Sequence, residues 1–133
     1  MATSAQYAAT PKVGSALLTT ADTSLTAPTT VGTVLSAGSN GTRIDYIDIQ
    51  GVATTVAGNI NLFIYDGSTY ILWNQVNVIA VTSSTTSPAW QATLSSNGNA
   101  NLMPLTLPTG YSLRATTSVS QTGIRVTAYG GDF

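Results

Sequence analysis

The chain has 133 residues, enough for one domain with its own core, and it contains four Lys or Arg, five Asp and no Glu, His or Cys. With a net charge of −1 and so few cations, it offers no basic surface for nucleic acid and no polybasic contact for a membrane. The missing residue types exclude disulfides, zinc–thiolate sites and a Ser-His-Asp triad within the chain.

Charged residues make up 7% of the chain, against about 25% in typical soluble domains. Its polarity comes from Thr, Ser, Asn and Gln, whose burial costs little when their hydrogen bonds are remade. Because Lys and Glu are depleted from interface cores, this composition favours a protein surrounded by other protein. The alternative is a Thr-rich β-protein of a secreted or surface type.

The first segment, residues 1–11, is small and polar, and we predict that it is an extended N-terminal arm before a β-sandwich domain at 12–133. Tyr7 is its only large side chain. The segment lacks the pattern of a secretory signal, and no apolar run in the chain approaches the ~20 residues that span a bilayer. We therefore expect a soluble product that is made in the cytoplasm.

Three strands are predicted before the middle of the chain, at residues 13–20, 31–35 and 42–53. In the third strand, Ile44 and Tyr46 occupy even positions and would face one side of the sheet, whereas Ile47 and Ile49 occupy odd positions and would face the other. A regular strand does not switch phase, so either a β-bulge lies near Tyr46 and Ile47 or both faces of the strand are partly covered.

A β-hairpin is predicted at residues 59–73, where two apolar runs flank an Asp-Gly turn. Ile60, Leu62 and Ile64 alternate with polar and aromatic residues, so we assign them to the sandwich core. Phe63, Tyr65 and Trp73 then face a second strand layer or a subunit boundary. The two apolar faces predict a central position in the sheet.

The remaining strands are predicted around Trp90–Leu94, Tyr111–Ala115 and Ile124–Tyr129, and Pro104 makes residues 102–107 an edge segment or an extended connection. The whole pattern predicts an all-β fold, a single antiparallel β-sandwich of about eight strands. A jelly roll is the commonest eight-stranded solution, while a barrel and a seven-stranded immunoglobulin-like sandwich remain open.

The search for chemistry yields no predicted catalytic, cofactor-binding or metal-binding residue. Asp45 and Asp48 are three residues apart on a predicted strand, which puts them on opposite faces unless the bulge realigns them. Asp66-Gly67-Ser68 and Asn97-Gly98-Asn99 offer oxygen ligands for calcium, but both sequences are typical of turns. We therefore expect a protein that is not an enzyme.

Carbohydrate binding is the main alternative, because β-sandwich lectins stack sugars on exposed aromatic side chains. A module of this kind would serve adhesion. The candidate platforms are the aromatic residues Trp73, Trp90, Tyr65, Tyr70 and Tyr111.

Three stretches, at residues 20–50, 61–73 and 125–133, resemble small β-rich structural proteins of tailed bacteriophages. Within that group the chain looks most like a capsid decoration (cement) protein. The resemblance implies a virion protein without enzymatic activity that is made in the bacterial host cytoplasm and stabilises the shell by binding major capsid subunits. It equally admits a tail or fibre component.

The same resemblance implies a symmetric homo-oligomer, with a trimer favoured, that contacts other virion proteins. The low charge independently predicts no nucleic-acid and no membrane partner. The glycine-rich terminus at residues 130–133 is expected to act as an adhesive extension. The residues predicted at the subunit or capsid interface are Tyr7, Phe63, Tyr65, Trp73, Tyr129 and Phe133.

Overall fold

The computed structural model describes residues 10–95 and 104–133, and this part of the chain forms two antiparallel sheets with no helix. The prediction of an all-β antiparallel sandwich is confirmed. The nine strands are β1 (Thr10–Leu18), β2 (Gly32–Ser36), β3 (Thr42–Gly51), β4 (Gly58–Tyr65), β5 (Tyr70–Val78), β6 (Gln91–Leu94), β7 (Leu105–Leu107), β8 (Ser112–Thr117) and β9 (Ile124–Asp132).

The front sheet has the order β1-β9-β3-β6, with β7 also paired to β3, and the back sheet has the order β2-β8-β4-β5. Strands distant in sequence therefore pair: β1 with β9, and β2 with β8. β6 and β7 follow the same side of β3 one after the other, so they form two halves of one edge strand. The finer interpretation as a jelly roll stays a prediction.

The phase switch in β3 comes from a β-bulge, the first of the two alternatives that the sequence left open. Ile44 pairs with Gly130 and Tyr46 pairs with Tyr129, which leaves Asp45 as the extra residue. The bulge rotates the strand so that isoleucines of both parities point inward, and Ile44, Ile47 and Ile49 have no exposed surface. The main core thus lies between the two sheets, and isoleucines of β3 form much of it.

The predicted hairpin is the pair β4 and β5. Its turn is fixed by Asp66, whose Oδ1 accepts hydrogen bonds from the backbone N–H groups of Ser68 (2.9 Å) and Thr69 (2.7 Å), and Gly67 adopts a positive φ of 103°. The core assignment of β4 is confirmed, because Ile60 and Leu62 are buried between the sheets. The central position holds for β4 alone, since β5 forms the edge of the back sheet.

The C-terminal residues belong to the front sheet, which corrects the prediction of an adhesive extension. Asp132 accepts a hydrogen bond from the Thr42 hydroxyl and forms an ion pair with Lys12 at 3.1 Å. The Phe133 N–H donates to the Gly41 carbonyl at 3.2 Å. Gly130 serves close packing, since a Cβ at this position would lie 1.8 Å from the Arg43 carbonyl oxygen.

At the other end, β1 begins at Thr10, so the last two residues of the predicted arm are part of a strand. Thr10 pairs with Asp132 and Pro11 with Gly131. Residues 1–9, which include Tyr7, lie outside the described residues.

Replacing Gly130 with Ala is expected to lower the free energy of unfolding by about 1–3 kcal/mol, because the new methyl group forces β9 and β3 apart. Urea denaturation measures the change. Thr127→Ala, which alters the outer face of the same strand, is the control and should stay within about 0.5 kcal/mol of the parent. Equal stability of the two variants would contradict the close packing of β9.

Candidate functional site

Four loops meet at one end of the sandwich, where β1, β3, β5 and β8 all finish. We call this surface the loop end. All of its residues are described, and they include a single charged side chain, Asp22. The four loops are residues 19–31, 52–57, 79–90 and 118–123.

Thr55 joins two of these loops. Its backbone N–H donates to the Val81 carbonyl at 3.0 Å, and its hydroxyl donates to the Ile79 carbonyl at 2.8 Å. The same hydroxyl accepts the Val81 N–H at 3.1 Å. Thr55 is almost fully buried, so these bonds are shielded from competing water.

Gln121 joins the other loops. Its side-chain amide pairs with both backbone groups of Val56: Nε2 donates to the Val56 carbonyl at 2.7 Å, and Oε1 accepts the Val56 N–H at 2.9 Å. The backbone N–H of Gln121 donates to the Thr19 carbonyl at 2.8 Å. Together with Thr55, this buried amide makes the four loops one connected surface whose shape is set before any partner arrives.

Asp22 organises the longest loop. Its carboxylate accepts the backbone N–H groups of Thr30 (2.8 Å), Ser24 (3.0 Å) and Thr29 (2.7 Å). These hydrogen bonds, that from Thr30 first, hold the pKa of the Asp22 carboxyl below its ordinary value because they favour the charged form. The negative charge of Asp22 is thus stabilised by backbone N–H groups of its own loop.

Large apolar side chains project from the loop end into solvent. The exposed fractions are 41% for Leu25, 55% for Val52, 52% for Val56 and 56% for Ile79. Single exposed apolar residues are ordinary, but a group of them on an almost uncharged, preorganised surface is typical of a protein contact site.

A cleft of about 500 Å³ opens at the border of the loop end, between its residues 83–89 and the outer face of the front sheet. Its floor comes from outward-facing residues of β3 and β9, including Asp48, Arg125 and Tyr129. The Tyr129 ring stacks on Tyr46 with ring centres 4.5 Å apart. The cleft therefore combines an aromatic platform with one acidic and one basic group.

Of the predicted interface residues on the hairpin, Phe63 requires correction. Its side chain lies on the outer face of the back sheet, yet it has no exposed surface. The ring of Tyr70 covers it edge-on, with ring centres 5.8 Å apart. A side chain without exposed surface does not touch a partner. Trp73 is partly buried and packs against the main core, so it has a role inside the monomer.

Tyr65 lies on the outer face of the back sheet in a small cluster. Its ring centre is 4.3 Å from that of Tyr70, and the Arg114 guanidinium stacks over it at 4.2 Å. The guanidinium also donates to the Ser112 hydroxyl (3.0 Å) and to the Tyr70 hydroxyl (3.1 Å). Arg114 thus stabilises the aromatic group that covers Phe63.

Tyr129 and Phe133 are both partly buried. Tyr129 lies on the outer face of the front sheet within the cleft, while the backbone of Phe133 is tied to Gly41. The structure therefore brings none of the six predicted residues to the loop end among those it describes. Tyr7 is the one that lies outside the described residues.

The platforms predicted for sugars also change. Trp90 is buried in the main core, and Tyr111 and Trp73 pack against that core, so none of the three is an open platform. The exposed tyrosine that the sequence analysis did not select is Tyr46, which the bulge at Asp45 turns outward to meet Tyr129.

The acidic candidates have local partners. Asp45 forms an ion pair with Arg43 at 2.8 Å, and Asp48 accepts the Thr93 hydroxyl at 3.2 Å. The Asp66 carboxylate is engaged by its own turn, and those backbone hydrogen bonds, that from Thr69 first, lower its pKa. Within residues 10–95 and 104–133, no three metal-ligating side chains gather, and Asn97-Gly98-Asn99 lies outside that range.

The loop-end residues were missed because each belongs to a segment that is ordinary on its own. Val56 and Ile79 are each followed by an alanine in loop sequences that carry no motif, and only the strand order shows that those loops meet. The available signal was the near absence of charge in all four loops. Gln121, whose amide joins them, carries no sequence signature.

No protein-family model, no curated protein and no solved structure matches the chain. In the described residues, no helix has the length and apolar character needed to cross a membrane.

Replacing Gln121 with Ala should leave both backbone groups of Val56 without their side-chain partner and lower the free energy of unfolding by about 1–3 kcal/mol. Amide hydrogen exchange should quicken at Val56 before it quickens in β4 or β9. Gln91→Ala, at an exposed strand position, is the control. Unchanged exchange at Val56 would contradict the role assigned to Gln121.

Proposed function

We propose that the chain is a non-enzymatic structural protein of a tailed-phage virion, a capsid decoration protein that binds major capsid subunits through its loop end. The observation that carries the proposal is the preorganised loop end, with its exposed apolar side chains and a single charge that is used internally. The resemblance to small phage structural proteins supports the same conclusion.

The energetics of docking follow from this composition. Fully burying a Val, Leu or Ile side chain contributes about 1.5–3 kcal/mol, and four such side chains stand exposed on the loop end. The hydroxyl and amide groups around them lose little on desolvation when they form new hydrogen bonds. No unpaired charge has to be buried, which removes the largest cost of a protein interface.

Shell stabilisation then arises by mass action. A protein that binds the assembled shell, and binds free capsid subunits less well, shifts the equilibrium towards the shell. In this proposal the protein is made in the host cytoplasm and resides in the virion. The nested strand order fits the jelly roll, with its two Greek keys, that we propose as the topology.

The exposed edge of β5 supports the proposed homo-oligomer. No described strand pairs with the outer side of β5, and its nine residues contain neither a charge nor a proline. Natural edge strands of this length usually carry such protection, because a free edge recruits another strand. Ile71, which is 48% exposed, lies on this edge. We propose that β5 contributes to the contact between subunits of a trimer.

Changing Val56 or Ile79 to Asp should lower the affinity for capsid shells by more than about tenfold, because docking would bury a carboxylate without a partner. Co-sedimentation of the purified protein with shells that lack it measures the affinity. Both side chains are more than half exposed, so the isolated fold should be preserved.

The matched control is Val13→Asp, which places the same charge on a valine of the front sheet that is somewhat more exposed than either loop residue. Equal binding by the Val56, Ile79 and Val13 variants would refute docking through the loop end. The loop end could equally bind a tail or fibre protein. Antibody labelling of intact particles distinguishes a position on the head from one on the tail or fibre.

Changing Ile71 to Lys should convert the oligomer into monomers, because a charged side chain protects a free strand edge from pairing. Light scattering after size-exclusion chromatography measures the mass, which for the unmodified chain is expected to be three times that of the monomer. Val13→Lys is the control. A trimer that survives the Ile71 change would exclude β5 from the subunit contact.

A further inference from the structure

We propose that the cleft beside the loop end is a binding site for a neutral saccharide. The cleft shares one wall, residues 83–89, with the loop end, but its floor lies on the front sheet and the proposal does not rest on the virion function. Its volume of about 500 Å³ falls within the roughly 300–1,000 Å³ of typical small-ligand sites.

The two charged groups of the cleft are separate and available. Arg125 has no carboxylate within 4.0 Å, and every Asp of the chain lies among the described residues. Among the described residues, its side chain makes one hydrogen bond, a long one of 3.4 Å to the Ser15 hydroxyl. Asp48 accepts the Thr93 hydroxyl through Oδ1, and its Oδ2 has no hydrogen bond within the described residues. The cleft thus offers a strong acceptor and a strong donor that do not neutralise each other.

This pairing favours a neutral ligand rich in hydroxyl groups. A carboxylate accepts hydrogen bonds from hydroxyls, and a guanidinium donates to their oxygens, so both groups are satisfied without a net charge on the ligand. The Gln50 amide and the hydroxyls of Thr127 and Ser83 extend the same donor and acceptor chemistry around the cleft.

The aromatic platform supplies the apolar half of sugar recognition. Tyr129 lines the cleft, and Tyr46 stacks against it with ring planes 17° apart, which fixes the orientation of the Tyr129 ring. The C–H face of a pyranose packs on such a ring while its hydroxyls reach the polar groups at the sides.

An extended peptide fits the cleft less well. β3 and β9 form the floor, and each pairs with a strand on both sides, so their backbone groups are already used. A peptide that adds a strand needs a free sheet edge. Recognition here falls on side chains alone, which is the arrangement that suits a saccharide.

The test is a glycan array that carries neutral and acidic oligosaccharides, probed with the unmodified protein, followed by calorimetric titration of the strongest neutral hit. We expect binding to neutral glycans. Asp48→Asn and Arg125→Gln should each lower the affinity about tenfold or more, because each removes a charge-assisted hydrogen bond. The control, Arg114→Gln, removes a cation from the back sheet and should leave the affinity unchanged.

Three results would overturn the proposal: no binding to any neutral glycan, binding to acidic glycans alone, or neutral binding that neither cleft variant weakens. Thermal unfolding of each variant shows that the fold is retained, since the Asp48→Asn change keeps a side-chain oxygen that can accept the Thr93 hydroxyl. Val56→Asp should bind the glycan normally, which separates this site from the loop end.

Discussion

The sandwich depends on the insertion of its last strand between two others. β9 pairs with β1 on one side and with β3 on the other, so the first and last described strands lie together in the front sheet. Gly130 permits the close approach that this position requires. Contacts between residues so far apart in sequence slow folding, because the loop must close before the contacts form. The front sheet is therefore completed only when nearly the whole chain is present.

The loops are held together by hydrogen bonds of neutral side chains and not by ion pairs. Thr55 and Gln121 are buried, and their partners are backbone groups of neighbouring loops. A buried amide or hydroxyl with every hydrogen bond made gives rigidity without the desolvation cost of an ion pair. The loop end consequently keeps its shape while presenting an apolar, uncharged surface.

Much of the fold was predictable from local pattern. The phase switch around Tyr46 and Ile47 predicted either a β-bulge or two partly covered faces, and the structure has the bulge at Asp45. The parity of Ile60 and Leu62 predicted the core face of β4. Parity also predicted that Phe63 faces away from that core, but it did not show that Tyr70 covers the ring, because this contact depends on the register of β4 and β5.

The loop end and the cleft form only because of the strand order, and the strand order cannot be predicted from the alternation of apolar and polar residues. Asp48 and Arg125 are far apart in sequence and become neighbours in the cleft only because β3 pairs with β9. The terminal Gly130 and Gly131 carry the local signature of a flexible tail, whereas both belong to β9 and Gly130 packs closely on the backbone of β3. Tertiary pairing overrides local propensity at each of these positions.

The loop end has one charged side chain, Asp22, and its hydrogen bonds are made inside its own loop, so salt has little charge to screen on this surface. Salt weakens contacts between exposed charges, with a Debye length of about 8 Å at physiological ionic strength and about 3 Å at 1 M. A contact made by Val56, Ile79 and their neighbouring hydroxyls contains no such pair to screen. Electrostatic screening therefore does not weaken such a contact as the ionic strength rises, and salts that strengthen apolar burial would favour it.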